Sequence, residues 1–228
     1  MTGIFDSGVG GLCAYGELRR MLPKEDVVYL ADRKNAPYGT KTREELKILV
    51  KNDIKRLREL GAERILVACC TASTVYRELG EEYTRGVTPI IEPAARVAAG
   101  FSRILVIATD YTVRSGAFGE AIRRISKKAS VTELAMQRLV ALIEGGARGG
   151  RLNGEARGEL LRVARECERI SADALVLGCT HFSHVEGELR GLLPSVTTVS
   201  PAREGARALA EMIKREKNVT GNGRNIYT

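Results

Sequence analysis

Two short segments of the sequence each run from apolar residues into a cysteine followed by a threonine. They are LVACCTAST at residues 66–74 and LVLGCTHFS at residues 175–183. A cysteine at the end of a strand, where a helix often begins, can be held as the thiolate, the form that accepts a proton. In the first segment Cys69 and Cys70 are adjacent. Neighbouring side chains of a strand point to opposite faces, so these two thiols cannot serve one site in the same way.

Other uses of these cysteines are less well supported by the spacing. Three cysteines with His181 and His184 could supply enough metal ligands, but the C-x₂-C and H-x₃-H spacings of zinc sites are absent. A redox dithiol would be expected as C-x-x-C, whereas Cys69 and Cys70 are neighbours. The spacing therefore weakens both alternatives, and it predicts no metal. Cys13 and Cys167 are expected to pack in the core.

A glycine-rich turn, GIFDSGVGG at residues 3–11, offers a second candidate for ligand binding. Its glycines leave several backbone N–H groups open at a helix start, which makes an anion cradle. A dinucleotide fold is the main rival, because Gly8 and Gly10 fit its fingerprint and Asp32 ends the next strand. The sixth position should be Gly or Ala, however, and it is Cys13.

The composition indicates an ordinary globular chain of one large or two small domains. Of its 228 residues, 44% are hydrophobic and 28% charged, and the net charge is +8. The excess of Lys and Arg is spread along the chain without interleaved aromatics, so it does not predict nucleic-acid binding, although it would attract a small anionic substrate. An odd number of cysteines, no signal-like segment and no long apolar run predict a cytoplasmic protein with reduced thiols and no membrane partner.

Short apolar runs alternate with helical patterns along the chain. This alternation predicts an α/β protein with mainly parallel sheets. Working loops of such sheets follow the carboxyl ends of the strands, and that is where the polar clusters fall. The predicted strands are 2–5, 27–31, 65–69, 104–108, 174–178 and 196–199, and the predicted helices are 44–60, 155–170 and 203–216.

The two cysteine segments also suggest an internal repeat. Each is preceded by another strand that ends in a polar loop. This repeat predicts two similar α/β halves, with the active site in the cleft between them. The first half is predicted at 1–90 together with 197–217 and the second at 91–196. Residues 144–154 are predicted to be a flexible link, and residues 218–228 a flexible tail.

Four segments resemble one family in order and spacing. GIFDSGVGG, NAPYG at 35–39, VACCTAS at 67–73 and LGCTHF at 177–182 are similar to the motifs of glutamate racemases, within the cofactor-independent aspartate/glutamate racemase family. The segment QRLVALIEGG at 137–146 resembles the one that supplies a site glutamate. The resemblance implies two pseudo-symmetric α/β halves and interconversion of L- and D-glutamate for peptidoglycan. It implies no cofactor, and it allows a homodimer.

The resemblance also implies roles for individual residues. Two cysteines would act on opposite faces of the substrate α-carbon, one as thiolate and one as thiol. The residues implied in catalysis are Cys69, Cys179, Asp6, His181 and Glu144. Those implied in substrate binding, largely through hydroxyl and backbone N–H groups, are Asp6, Ser7, Pro37, Tyr38, Gly39, Cys70, Thr71, Thr109, Thr112, Thr180 and His181.

The choice between the two adjacent cysteines rests on the family register. Plain identity between the two segments aligns Cys70 with Cys179, but the family reads V-A-C-N-T, which makes Cys69 the catalyst. Each catalytic cysteine then follows a small residue, Ala68 or Gly178, that lets a ligand approach. Cys70 stands where the family has an asparagine, so a weak S–H donor replaces an amide. An aspartate racemase, an inactive amino-acid-binding or regulatory homologue and a nucleotide-binding protein stay as alternatives.

Overall fold

The fold is seen in a computed structural model that describes residues 1–146, 153–215 and 225–227. Strands alternate with helices, and all strand pairs are parallel, which confirms the predicted α/β class. In these ranges the strands are β1 (Thr2–Asp6), β2 (Val27–Ala31), β3 (Arg64–Val67), β4 (Val87–Pro89), β5 (Arg103–Ala108), β6 (Ser130–Ala135), β7 (Ala174–Gly178), β8 (Thr197–Val199) and β9 (Asn225–Tyr227). The α-helices are α1 (Leu12–Met21), α2 (Arg43–Glu59), α3 (Cys70–Ser73), α4 (Glu81–Thr84), α5 (Ile91–Ala98), α6 (Asp110–Ser115), α7 (Ala117–Ile125), α8 (Gln137–Gly146), α9 (Gly154–Arg169), α10 (Glu186–Leu192) and α11 (Pro201–Arg215).

The strands form two sheets with the same internal order. One sheet runs β4-β3-β1-β2-β9, and the other, taken from its opposite edge, runs β8-β7-β5-β6. Apart from β9, the second order is the first with every number raised by four. The repeat that the two cysteine segments suggested is therefore a repeat of topology. Strands β3 and β7, which lead into these segments, hold equivalent places beside β1 and β5.

The chain divides into two compact units. The first unit contains Met1–Pro93 and Ala202–Thr228, and the second contains Ala94–Pro201. The assignment of all residues from 197 to 217 to the first half is wrong for its strand, because β8 pairs with β7 in the second unit. Helix α11 does return to the first unit, where Gly205 lies close to Leu66 and Ile90.

Two predictions of flexible segments need correction where the structure describes them. Residues 225–227 form β9, which pairs with β2, so the prediction of a flexible tail is wrong there; 218–224 and 228 lie outside the described residues. In the predicted link, 144–146 belong to α8, and Asn153 caps α9 by accepting a hydrogen bond from the Ala156 N–H. Residues 147–152 of the link lie outside the described residues.

Helix α2 shows why the longer helices follow their sequence pattern closely. Thr42 and Glu45 form a reciprocal capping box at its start, which satisfies N–H groups that the first turn leaves open. Its buried face then repeats with helical spacing. Its buried residues are Leu46, Val50, Asp53, Ile54 and Leu57. No helix of the described ranges is long and apolar enough to cross a membrane.

Candidate active site

Cys69 lies at the start of α3 rather than in the strand before it. Strand β3 ends at Val67, and the sulfur of Cys69 caps α3 by accepting a hydrogen bond from the Ala72 N–H at 3.5 Å. The same sulfur lies 3.7 Å from the hydroxyl oxygen of Ser7. Cys70 is the first residue inside the helix and is also buried. The two thiols are therefore separated by the geometry of a helix start, and not by the alternation of a strand.

Asp6 lies buried at the end of β1, and its surroundings explain the glycines of its turn. Its Oδ1 accepts a hydrogen bond from the Gly8 N–H at 2.9 Å, so this N–H is directed to a carboxylate of the protein. A Cβ on Gly11 would lie 2.7 Å from the Cβ of Asp6 and 2.8 Å from the hydroxyl oxygen of Tyr29. Gly11 is thus required by the close approach of Asp6 and Tyr29.

The environment of Cys69 favours the protonated thiol. Burial, and then the negative charge of Asp6, raise the pKa of Cys69 to about 12. Hydrogen bonds from Ala72 and Ser7 act in the opposite direction but do not outweigh them. Cys69 is 6% exposed. The protein without substrate therefore holds this cysteine as the protonated thiol.

The NAPYG loop is anchored through one buried side chain. Pro37 is exposed and Gly39 half-buried, whereas Tyr38 is 1% exposed. The hydroxyl of Tyr38 lies 2.6 Å from Oδ2 of Asp53 and 2.7 Å from Oδ2 of Asp32. Both of its neighbours are carboxylates of the protein, and binding of substrate by Tyr38 stays a prediction. The 3₁₀ turn Tyr38–Thr40 contacts α3, in which Thr71 is buried.

In the second unit, Cys179 follows β7 and lies beside a histidine. Its sulfur is 3.5 Å from Nδ1 of His181, and Nε2 of His181 is 3.0 Å from Oε1 of Glu144. The Glu144 side chain is 54% exposed and that of His181 14%. When Nε2 carries the proton toward Glu144, Nδ1 of the neutral ring can accept the proton of Cys179. The three residues can therefore pass a proton between sulfur and imidazole.

Three threonines lie at the ends of the neighbouring strands in this unit. Thr109 caps α6 by accepting a hydrogen bond from the Thr112 N–H, and the two hydroxyl oxygens are 2.9 Å apart. Thr180 begins the 3₁₀ segment after Cys179, and all three threonines are buried. They lie after β5 and β7, so the sheet brings these threonines to one edge with Cys179.

Close packing inside the second unit requires a glycine at position 178. A Cβ at this position would lie 2.8 Å from the carbonyl oxygen of Ile107 and 3.0 Å from both Ala108 and Phe118. Packing within the second unit therefore requires glycine here, and the approach of a ligand at Gly178 stays a prediction.

Asp32 and Asp53 were not among the residues expected at the site. Asp53 interrupts the apolar face of α2, and a carboxylate at such a position is rarely buried without a partner. That interruption was the available signal, but the sequence gives no indication that Tyr38 is the partner. Among the residues that the structure describes, no group of three or more His, Cys, Asp or Glu is arranged to hold a metal ion.

The fold and the two cysteine sites define an α/β protein that holds, in each of its two units, a buried thiol beside polar side chains. The sequence model of the Asp/Glu/Hydantoin racemase family matches residues 17–209. A glutamate racemase of Gloeobacter violaceus is 40% identical over 219 residues, which cover 92% of this chain and 79% of that protein.

Comparison with solved structures gives the same family. The glutamate racemase from Thermus thermophilus, in complex with beta-chloro-D-alanine, is 34% identical with a TM-score of 0.84, covering 99% of this chain and 86% of that one. The glutamate racemase from Francisella tularensis, in complex with D-glutamate, is 27% identical with a TM-score of 0.86 over 99% and 86% of the two chains. The chain belongs to the Asp/Glu/hydantoin racemase family, and within it to the glutamate racemases.

Proposed function

We propose that the chain interconverts L- and D-glutamate with Cys69 and Cys179 as its two acid–base groups. The observation that carries this proposal is that the equivalent strands β3 and β7 each lead to a buried cysteine with its own polar partners. Family membership adds the substrate, since similar proteins are glutamate racemases and one was solved with D-glutamate.

The reaction is a transfer of protons with no change of oxidation state. One cysteine, as thiolate, removes the hydrogen of the glutamate α-carbon as a proton. The other, as thiol, donates a proton to the opposite face of the resulting carbanion. The product is the mirror image of the substrate, and one proton has in effect moved from one cysteine to the other.

The protonated state of Cys69 assigns it a first role. In the substrate-free protein it is the acid, because its pKa is raised to about 12. Cys179, with His181 as a proton acceptor at 3.5 Å, is then the group that starts as base. For the reverse direction Cys69 must lose its proton. An ammonium group of the substrate near Asp6 would offset the negative charge that raises this pKa.

The test is hydrogen exchange at the α-carbon in deuterated water, followed for L-glutamate, D-glutamate and aspartate. With two bases, each dedicated to one face, the newly formed enantiomer carries deuterium at early times, while recovered substrate does not. Exchange confined to aspartate would favour an aspartate racemase. Stabilisation of the protein by D-glutamate without any exchange would instead favour a binding or regulatory role.

We further infer the setting of the reaction. D-Glutamate for peptidoglycan is the product that the family resemblance implies, and thiols that must titrate support a reducing, cytoplasmic location. A homodimer is proposed as well, and a measurement of native mass would test it.

A further inference from the structure

Two buried carboxyl groups meet at the hydroxyl of Tyr38, and this cluster has no part in the proton transfers proposed above. Oδ2 of Asp53 lies 2.6 Å from the hydroxyl oxygen and Oδ2 of Asp32 lies 2.7 Å from it. A tyrosine hydroxyl has one proton and can donate to only one of them. If both carboxyl groups were ionised, one of them would direct its lone pairs at the hydroxyl oxygen at hydrogen-bond distance. The cluster is satisfied only when it holds one further proton.

The surroundings assign that further proton to Asp53. Asp53 is 7% exposed, and its pKa is raised to about 7, first by burial and also by the charge of Asp32. The hydrogen bond with Tyr38, and then the charge of Arg56, lower it in part. Asp32 by contrast already accepts from Asn35, whose Nδ2 lies 3.0 Å and 2.9 Å from its two carboxylate oxygens. The protonated Asp53 thus donates to Tyr38, and Tyr38 donates to Asp32.

The cluster joins elements of the first unit that lie next to Asp6 at the end of β1. Tyr38 is the one buried side chain of residues 32–40, so its hydroxyl fixes the turn that presents Pro37 and Gly39. The backbone N–H of Asp32 donates to the carbonyl oxygen of Asp6 at 3.0 Å, which joins the cluster to the end of β1. Asp53, which lies on α2, is the second hydrogen-bond partner of the Tyr38 hydroxyl and joins that helix to the cluster.

On the basis of the proposed function, we propose that Asp53 is a positioning residue for glutamate: through a proton shared with Tyr38 and Asp32, it fixes the Pro37–Gly39 turn against which the substrate binds. Asp53 does not touch the reacting atoms. Its loss should therefore weaken binding of substrate and leave the chemical step largely intact. Loss of the shared proton at higher pH should also weaken the binding of substrate.

The experiment compares Asp53→Ala, Asp53→Asn and wild type by steady-state kinetics as a function of pH. We expect Asp53→Ala to raise KM about tenfold, the effect of one hydrogen bond, with kcat little changed. In wild type KM should rise above about pH 7, where Asp53 loses its proton. The amide of Asp53→Asn can still donate to Tyr38 and does not ionise, so this variant should keep a low KM and lose that rise.

The matched control is Glu25→Gln, which changes another buried carboxyl group. Glu25 accepts a hydrogen bond from the Thr2 hydroxyl at the opposite end of β1, so its pH profile should follow wild type. An unchanged KM in a folded Asp53→Ala would overturn the proposal. So would a lowered melting temperature with no change of KM, since that is a purely structural role.

A second measurement separates this proposal from the proposed function. Amide hydrogen exchange of the segment 32–41 should be faster in Asp53→Ala and in Tyr38→Phe, and close to wild type in Asp53→Asn. If wild type does not racemise glutamate, the proposed function fails, and the exchange rates still decide whether Asp53 holds the turn. Unaltered exchange in both Asp53→Ala and Tyr38→Phe would overturn the anchoring itself.

Discussion

The sulfur of Cys69 lies near Ser7 and Asp6, and Cys69 occupies a different position from its neighbour in the sequence. Cys69 caps α3 from outside, whereas Cys70 is the first residue of the helix. This arrangement supports the family register over the plain alignment of the two cysteine segments. Its buried surroundings also raise the pKa of Cys69, which keeps the thiol protonated when no substrate is bound.

The two cysteines should therefore respond differently to substitution. Cys69→Ser should lower kcat by about 10²–10⁴-fold, since a hydroxyl is a poor replacement for a general acid–base thiol. Cys70→Ser should retain most of the turnover. Cys70→Asn should lower KM by up to about tenfold, through one recovered amide hydrogen bond. Steady-state kinetics in reducing buffer, with circular dichroism to check folding, measures all three.

The reverse pattern would contradict the register. An active Cys69→Ser together with an inactive Cys70→Ser would show that the catalytic cysteine is one position later. The alignment of Cys70 with Cys179 would then be the better guide.

At the scale of elements, two glycines, one just before α1 and one inside it, test why the turn before this helix is rich in glycine. Gly11 precedes α1, where a Cβ would collide with Asp6 and Tyr29, while a Cβ at Gly16, inside the helix, meets nothing within 4 Å. Gly11→Ala should lower the free energy of unfolding by about 1–3 kcal/mol, as overpacking does. Gly16→Ala should raise it by up to about 1 kcal/mol, through helix propensity. Urea denaturation of both variants measures the difference.

The outcome that would contradict this explanation is a stable, fully active Gly11→Ala. In that case a Cβ at position 11 would be accommodated, and the close approach of Asp6 and Tyr29 would not require glycine. A loss of activity in Gly11→Ala without a loss of stability would instead point to a need for open backbone N–H groups.

The sequence predicted those elements whose pattern is long and regular. Helices α2, α9 and α11 begin and end within two residues of the expectation, because their apolar spacing and caps are local features. Strands β4 and β6 were missed. β4 has three residues, and β6 is an edge strand with no fully buried residue, so neither shows a continuous apolar run.

The residues of the candidate site could be predicted only where they stand together in one short sequence motif. Cys69, Cys179 and His181 stand in short motifs, and the structure places His181 next to Cys179. The contact between Tyr38 and Asp53 joins residues 15 positions apart on different elements. Only the packing of α2 against the turn creates it, so no local pattern could have indicated it.

At the scale of the whole molecule, Asp53 should make stability depend on pH. The unfolded chain releases this proton near the ordinary aspartate pKa of about 3.9, whereas the folded protein keeps it up to about 7. The unfolded state therefore binds fewer protons between these values, and the contribution of Asp53 to stability falls as pH rises from about 4 to about 7.

Asp53→Asn should remove this dependence. We expect the melting temperature of the variant to exceed that of wild type by more at pH 8 than at pH 4, because only wild type buries a carboxylate at the higher pH. Thermal denaturation at several pH values measures it. Parallel curves for the two proteins would mean that Asp53 is already ionised in the folded state near pH 4.

The return of α11 to the first unit has a consequence for how the polypeptide is made on the ribosome. The second unit is one uninterrupted stretch, Ala94–Pro201, whereas the first is assembled from both ends of the chain. Because α11 packs on Leu66 of β3, the strand that leads to Cys69, this half stays without one of its helices until the whole second unit has been translated. Nascent chains can therefore complete the Cys179 half first. A message cut short before α11 would yield a protein with one finished cysteine site and one unfinished.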